Sequence, residues 1–169
     1  YGENPLLSES YGRIVHKDHY DKIMTFMADG RVYYGGDASA DDGYIGPTLL
    51  VDVIPGSPIC TEEIFGPVLP VVPYDSVADV IQTLQTSPVP LCTYIFSNNL
   101  ETQSKIADEV QSGAVSINEV MLHAVNPFLA FGGNGKSGLG KYHGEASFEA
   151  FTHPRPVYSK QTPFLLSKQ

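Results

Sequence analysis

The sequence contains no tryptophan, only two cysteines, and ten lysines and arginines against nineteen aspartates and glutamates, which gives a formal net charge of -9. Proteins that bind nucleic acid or anionic membranes need clustered basic side chains to neutralise phosphates or lipid head groups. We therefore expect neither as a partner. Two cysteines, Cys60 and Cys92, are too few and too unpatterned to suggest a disulfide framework or a zinc site, so a reducing compartment is expected.

Long apolar segments are missing as well. The sequence has no run of about 18 apolar residues that would form a transmembrane helix, and its first residues have no signal-peptide pattern. These features favour a cytoplasmic protein. The first residue is Tyr1 rather than methionine, which predicts a processed or truncated N-terminus.

What the sequence does contain is an alternation of apolar runs with segments of helical spacing. Such alternation is typical of parallel strands joined by helices that cover the sheet, so the predicted fold class is α/β. The predicted elements are a helix near 18–28 with Asp18 as its cap, strands at 31–34, 48–53 and 68–72, a helix behind Ser76, a strand at 91–96, a helix behind Asn99, and a strand at 114–117.

Beyond Asn118 this regularity ends, and 121–144 is a glycine-rich segment too long for an ordinary connection. Asn118, Glu119 and His123 follow the last predicted strand, at the carboxyl end where open α/β sheets place ligands. They are candidate pocket residues, although a lone histidine is more often structural than catalytic. The final stretch, 151–169, holds three prolines and is predicted to be an extended arm following a domain at 1–150.

Several motifs resemble those of the aldehyde dehydrogenase superfamily, and they span essentially the whole chain. The class 3, fatty aldehyde dehydrogenase-like branch is indicated by the motifs near the C-terminus. The motifs are T-E-E-I-F-G-P-V-L-P at 61–70, F-G-G at 131–133, S-G-L-G at 137–140, Y-H-G at 142–144, S-F at 147–148 and F-T-H at 151–153.

The resemblance implies a truncated form of that family's catalytic-domain fold. Family members are much longer, and their catalytic cysteine, general-base glutamate and most of their dinucleotide-binding domain lie earlier in the chain. The sequence is therefore expected to be a C-terminal portion that does not oxidise aldehydes alone. The extended arm is implied to pack against a partner subunit, which predicts a homodimer or a complementing dehydrogenase chain.

The resemblance also implies roles for single residues. Glu63 would accept hydrogen bonds from the nicotinamide ribose, and the Phe65 ring would pack near the nicotinamide, so NAD or NADP is the implied cofactor, unless the truncated chain binds none. His123 matches a histidine of the aldehyde entry, so Asn118, His123 and Phe131 are predicted to line a pocket for an aldehyde-like substrate. His123 and Glu119 are the candidate catalytic groups, in the absence of the family nucleophile and base.

Three functional hypotheses remain open at this point. The chain is part of an NAD(P)-dependent enzyme that oxidises aldehydes to carboxylates, or a free-standing protein that uses the residual pocket for a non-redox reaction such as isomerisation, cyclisation or dehydration. Alternatively, it is a non-catalytic binding or regulatory partner of a longer relative. The alternative for Glu63 and Phe65 is the start of a strand with solvated acidic side chains, and the ten-residue match at 61–70 favours the cofactor role over it.

Overall fold

Helix α1 (Lys17–Phe26) is the first regular element of more than one turn. Tyr20, Ile23 and Phe26 are buried along one face, as the three-to-four residue spacing predicts. The cap prediction was wrong, because His16 occupies the N-cap and Asp18 lies inside the first turn, where its carboxylate interacts favourably with the helix dipole. A 3-10 turn, Met27–Asp29, continues the helix to Gly30.

A three-stranded sheet follows, formed by β1 (Arg31–Tyr34), β4 (Thr48–Val51) and β5 (Val68–Pro70) in the order β1-β4-β5. The β4–β5 pair is parallel and the β1–β4 pair antiparallel. The polar loop between β1 and β4 contains a small hairpin of β2 (Ala38–Ser39) and β3 (Tyr44–Ile45), which sequence analysis missed.

Two helices flank β5 in the chain. The single-turn helix α2 (Pro58–Thr61) precedes it, and α3 (Val77–Thr86) follows it behind Ser76, whose side chain accepts a hydrogen bond from the amide of Asp79. The predicted Ser76 cap is therefore confirmed. The core beneath the sheet consists of buried apolar residues from α1, the strands and α2: Tyr20, Ile23, Phe26, Ile45, Leu50, Ile59 and Val68.

The next strands, β6 (Cys92–Ile95) and β7 (Ala114–Ile117), pair in parallel and are connected by α4 (Leu100–Glu109). Asn99 caps α4 by accepting a hydrogen bond from the Thr102 amide, as predicted. The glycine-rich segment that follows carries the short helix α5 (Leu122–Val125), a 3-10 turn at Gly135–Ser137 and a bridge between Phe131 and Tyr142.

The final helix, α6 (Gly144–Phe151), begins inside the glycine-rich segment and extends to the first residue of the predicted arm. From 152 to 160 the chain has no helix or strand and is exposed. The computed structural model describes residues 1–160, so 161–169 of the predicted arm lie outside the described residues.

The chain divides into two compact units, Tyr1–Ser87 and Pro88–Gln169. Each contains a parallel strand pair together with helices, so the predicted α/β class is confirmed. Within residues 1–160, no helix is long and apolar enough to cross a membrane.

Candidate functional site

The loop 62–66 of the first unit connects α2 to β5 and carries two of the predicted site residues. Phe65 is 72% exposed and has a φ of 45°, in the left-handed region that bulky side chains disfavour. Backbone strain of this kind is concentrated at ligand sites and switches. An exposed aromatic ring on a strained backbone is the arrangement expected of a side chain that contacts a ligand.

Glu63 is exposed beside it, and among residues 1–160 its carboxylate has no hydrogen bond or ion pair. Its neighbour Glu62 instead pairs with Lys22 at 2.7 Å. A free carboxylate offers two acceptor oxygens to a vicinal diol, so Glu63 rather than Glu62 can serve as the acceptor for a sugar.

The start of the loop is anchored by α2. Asp29 accepts the amide of Ile59 at 3.0 Å with its carboxylate and the amide of Ile54 at 2.9 Å with its carbonyl. Ile59 is buried in the core. These contacts connect α2 to the end of the α1 segment, so the loop begins from a fixed point.

In the second unit, five rings form an aromatic cluster. Phe131 lies within ring contact of three of its members, with centroid distances of 6.1 Å to His123, 5.9 Å to Tyr142 and 6.0 Å to His143. The His123 ring also meets Tyr94 edge-on at 5.7 Å. The structure therefore brings together His123 and Phe131, which the resemblance placed in one pocket.

Both histidines of the aromatic cluster carry a buried ring nitrogen without a partner. Nδ1 of His123 and Nδ1 of His143 have no hydrogen bond within residues 1–160. Buried polar atoms are rarely left unpaired, and a ligand with a polar group would satisfy them. The two ring nitrogens are therefore available to a polar partner, which the packing of the rings alone does not supply.

The loop that carries Phe131 is held by backbone and lysine contacts. Phe131 and Tyr142 exchange two backbone hydrogen bonds of 2.8 and 2.9 Å. The amine of Lys141 donates to the carbonyls of Gly113 at 2.6 Å and Gly132 at 3.3 Å. A lysine with two carbonyl acceptors fixes the glycine-rich segment against the start of β7.

The other two predicted pocket residues are engaged in the turn after β7. Asn118 has a φ of 55°, and its amide bonds the backbone of Ser97. Glu119 accepts the amide of Val120 at 2.8 Å with its own carboxylate. They therefore shape the turn that leads to His123, and their predicted substrate and catalytic roles stay predictions.

Tyr94 was not among the predicted site residues, because a tyrosine inside an apolar strand carries no distinguishing signal. Partial desolvation of its exposed ring raises the pKa of Tyr94, with a further increase from Cys92. Burial also raises the pKa of the Cys92 thiol. Because the thiolate is the nucleophilic form, Cys92 is poorly suited to covalent catalysis.

The family follows from a comparison of the whole sequence. The family model described as "Aldehyde dehydrogenase family" matches residues 3–157. The chain belongs to the aldehyde dehydrogenase family. The predicted resemblance is thus confirmed.

Similar proteins place the chain near family 3 members. It is 44% identical over 160 residues to the rat "Aldehyde dehydrogenase, dimeric NADP-preferring", covering 95% of this chain and 35% of the relative. It is 39% identical over 162 residues to "Aldehyde dehydrogenase family 3 comG" of Dictyostelium discoideum, covering 96% and 34%. The predicted class 3 branch is confirmed, and the chain spans about a third of the length of these relatives.

A solved aldehyde dehydrogenase has a similar fold. The structure described as "Substrate bound state of Staphylococcus Aureus AldH" superposes with a TM-score of 0.84 at 37% identity, covering 96% of this chain and 37% of that one. The helices and strands described above therefore follow an aldehyde dehydrogenase fold.

Proposed function

We propose that this aldehyde dehydrogenase-family chain supplies part of the cofactor cleft and part of the substrate wall for an NAD(P)-dependent oxidation of aldehydes to carboxylates. The observation that carries the proposal is Phe65, whose ring is exposed on a left-handed backbone beside the carboxylate of Glu63, which has no partner in the described part of the chain. The residues fit the cofactor, because an aromatic face orients a flat heterocycle and a carboxylate pairs with ribose hydroxyls.

The nicotinamide supplies the hydride acceptor when it is bound. Glu63 then binds and orients the ribose, and Phe65 limits where the nicotinamide ring can lie. Neither residue is proposed to add to an aldehyde or to activate water, so their proposed role is limited to holding the cofactor. His123 and Phe131, with Asn118 at the preceding turn, are proposed to line the wall for an aldehyde-like substrate.

A titration of NADH into the 169-residue chain tests the cofactor part of the proposal, and NADPH is titrated in parallel. Glu63→Gln keeps the shape of the side chain and removes its charge, and it is expected to weaken binding about tenfold, since hydrogen bonds to charged groups contribute about 1.5–3 kcal/mol. Glu9→Gln removes an exposed charge elsewhere and serves as the control. Absence of NADH binding, or unchanged affinity after Glu63→Gln, would contradict the cleft assignment.

The second candidate function is a non-redox reaction such as isomerisation, cyclisation or dehydration in the aromatic cluster. It is favoured by Nδ1 of His123, which is buried and has no hydrogen-bond partner among residues 1–160, and a histidine can exchange a proton with a ligand. Glu119 is the other candidate acid or base. Under this alternative His123→Ala abolishes turnover of an enolisable aldehyde without added NAD, whereas the exposed His153→Ala leaves it unchanged; full activity of His123→Ala removes His123 from the mechanism.

Partners and location are proposed from the resemblance to the family. The segment 151–169 is proposed as an oligomerisation arm that forms a homodimer or joins a complementing dehydrogenase chain, and a non-catalytic regulatory partner would use the same arm. A cytoplasmic location is proposed together with it. Native mass spectrometry of the chain, with and without NAD and a longer relative, tests the proposed partners. A monomer that binds neither NAD nor the longer relative would contradict the homodimer, the complementing chain and the regulatory partner.

A further inference from the structure

Helix α1 contacts the loop 62–66 at three points on one face. The Nε2 of His19 donates a hydrogen bond of 2.9 Å to the Phe65 carbonyl. Lys22 pairs with Glu62 at 2.7 Å, and a methyl group added to Gly66 would lie only 2.6 Å from Cδ1 of Ile23. Residues three and four apart share a helix face, so one rigid element contacts the loop before, at and after Phe65.

The hydrogen bond from His19 is made to Phe65, the residue of this loop with a strained, left-handed backbone. A left-handed backbone costs a non-glycine residue about 1–2 kcal/mol, and the Phe65 ring is 72% exposed, so burial of the ring contributes little to offset this cost. The conformation must be held from outside the residue. The carbonyl that accepts from His19 belongs to Phe65 itself, and its orientation depends directly on the backbone of that residue.

Neither the Lys22–Glu62 ion pair nor the packing of Ile23 on Gly66 can orient the Phe65 carbonyl. Lys22 and Glu62 are both substantially exposed, and such pairs contribute about 0–1 kcal/mol. The Ile23 contact limits the space around Gly66, but an apolar side chain offers no hydrogen bond to the Phe65 carbonyl. The histidine is the group among these three that determines the direction of the Phe65 carbonyl.

We infer that His19 is a positioning residue, whose Nε2–H holds the Phe65 peptide in the left-handed conformation that presents the ring to the cofactor. This inference rests on the proposed function for the ring. His19 acts through Phe65, and no contact between His19 and a ligand is required. The chemistry needed is a single side-chain donor at this distance from helix α1, which a glutamine amide also supplies.

The test combines a readout of the loop with a readout of binding in the full 169-residue chain. His19→Phe retains a planar ring without a donor, His19→Ala removes the ring, and His19→Gln restores a donor. His16→Phe is the matched control, because the His16 side chain makes no capping hydrogen bond at the same helix. The Phe65 carbonyl carbon and Gly66 amide resonances report the loop by NMR, and an NADH titration reports its consequence.

We expect His19→Phe and His19→Ala to shift both resonances and to weaken NADH binding about fivefold to tenfold, the equivalent of one lost hydrogen bond. His19→Gln is expected to restore the resonances and most of the affinity, and His16→Phe to change neither. His19→Phe and His19→Ala both lack the hydrogen-bond donor, so if one of them fails to fold, the other still tests the inference.

Resonances unchanged by both donorless variants would overturn the inference, and so would a His19→Gln variant that fails to restore them. Shifted resonances with unchanged NADH affinity would overturn the positioning role while leaving the contact itself in place. Failure of the proposed function is distinguished from failure of the His19 inference, because in that case the unsubstituted chain does not bind NADH. In that case the resonances alone decide whether His19 sets the loop conformation.

Discussion

The side-chain amide of Asn118 bonds the backbone of Ser97 on both sides. Its oxygen accepts the Ser97 amide hydrogen at 2.9 Å, and its nitrogen donates to the Ser97 carbonyl at 3.0 Å. The two residues follow the carboxyl ends of β7 and β6, and this pair of bonds continues the strand pairing beyond both strands. It also holds Asn118 at a φ of 55°, from which the chain turns toward His123.

Two substitutions at Asn118 separate these effects. Asn118→Gly removes both side-chain bonds but adopts a positive φ freely, and we expect it to lower the free energy of unfolding by about 1–2 kcal/mol. Asn118→Ala removes the same bonds and adds left-handed strain, so it is expected to cost about 1 kcal/mol more. Urea denaturation measures both, and equal values for the two variants would show that the φ of Asn118 is not strained.

The packing of Gly66 on Ile23 gives a prediction about steric fit in the first unit. Gly66→Ala would place a methyl group 2.6 Å from Cδ1 of Ile23 and is expected to lower the free energy of unfolding by about 1–3 kcal/mol. Ile23→Val removes that Cδ1 atom and alone costs about 0.5–1.5 kcal/mol.

The double variant tests the contact itself. Because Ile23→Val makes room for the added methyl group, Gly66→Ala combined with Ile23→Val is expected to cost less than the sum of the two single changes. A strictly additive result would mean that another neighbour of Gly66 resists the methyl group.

The helix caps show what local sequence can predict. Ser76 and Asn99 each accept an amide three residues ahead, and the residue type, spacing and apolar face of each helix were visible in the sequence. The start of α1 was misplaced, because the side chain of its N-cap residue, His16, makes no capping hydrogen bond, and histidine is not among the residue types that mark an N-cap in a sequence.

Features set by distant contacts were not predictable. The antiparallel direction of β1 depends on its pairing with β4, and nothing in its four residues, one arginine followed by a valine and two tyrosines, encodes that direction. The left-handed Phe65 is a stronger case, since propensity opposes a bulky residue at positive φ, and its carbonyl is bonded by a residue of α1 that is remote in sequence. The aromatic cluster likewise needed Tyr94 of β6, a residue remote in sequence from Phe131.

The N-cap of α4 can be tested by comparing substitutions at Asn99 and at its neighbour Asn98. Asn99→Ala removes the 3.0 Å bond to the Thr102 amide and is expected to lower the free energy of unfolding by about 1 kcal/mol. Asn98→Ala, at the exposed neighbouring position, is the control and is expected to change it by less than about 0.5 kcal/mol. Similar losses for both variants would indicate a general effect of the α4 entry rather than the cap.

The raised pKa of Cys92 predicts slow alkylation. In a Cys60→Ser variant that retains Cys92 alone, we expect iodoacetamide to react slowly at pH 8 and faster as the pH rises, because burial keeps the thiol protonated and only the thiolate reacts. The same chain in urea loses this burial and should reach its half-maximal rate at a lower pH. Coincident pH profiles for the native and denatured chains would contradict the assigned cause.

Phe65→Asn separates the stability of the loop from its binding role. Asparagine tolerates positive φ better than phenylalanine, and the exposed ring contributes little burial, so the free energy of unfolding is expected to stay the same or rise by up to about 1 kcal/mol. NADH affinity is expected to fall, because the aromatic face is lost while the backbone and the contacts from α1 remain. A side chain that lowers the free energy of unfolding but increases NADH affinity is present for binding rather than for stability. If Phe65→Asn instead lowers stability and leaves NADH binding unchanged, the ring is structural and the cofactor assignment is wrong.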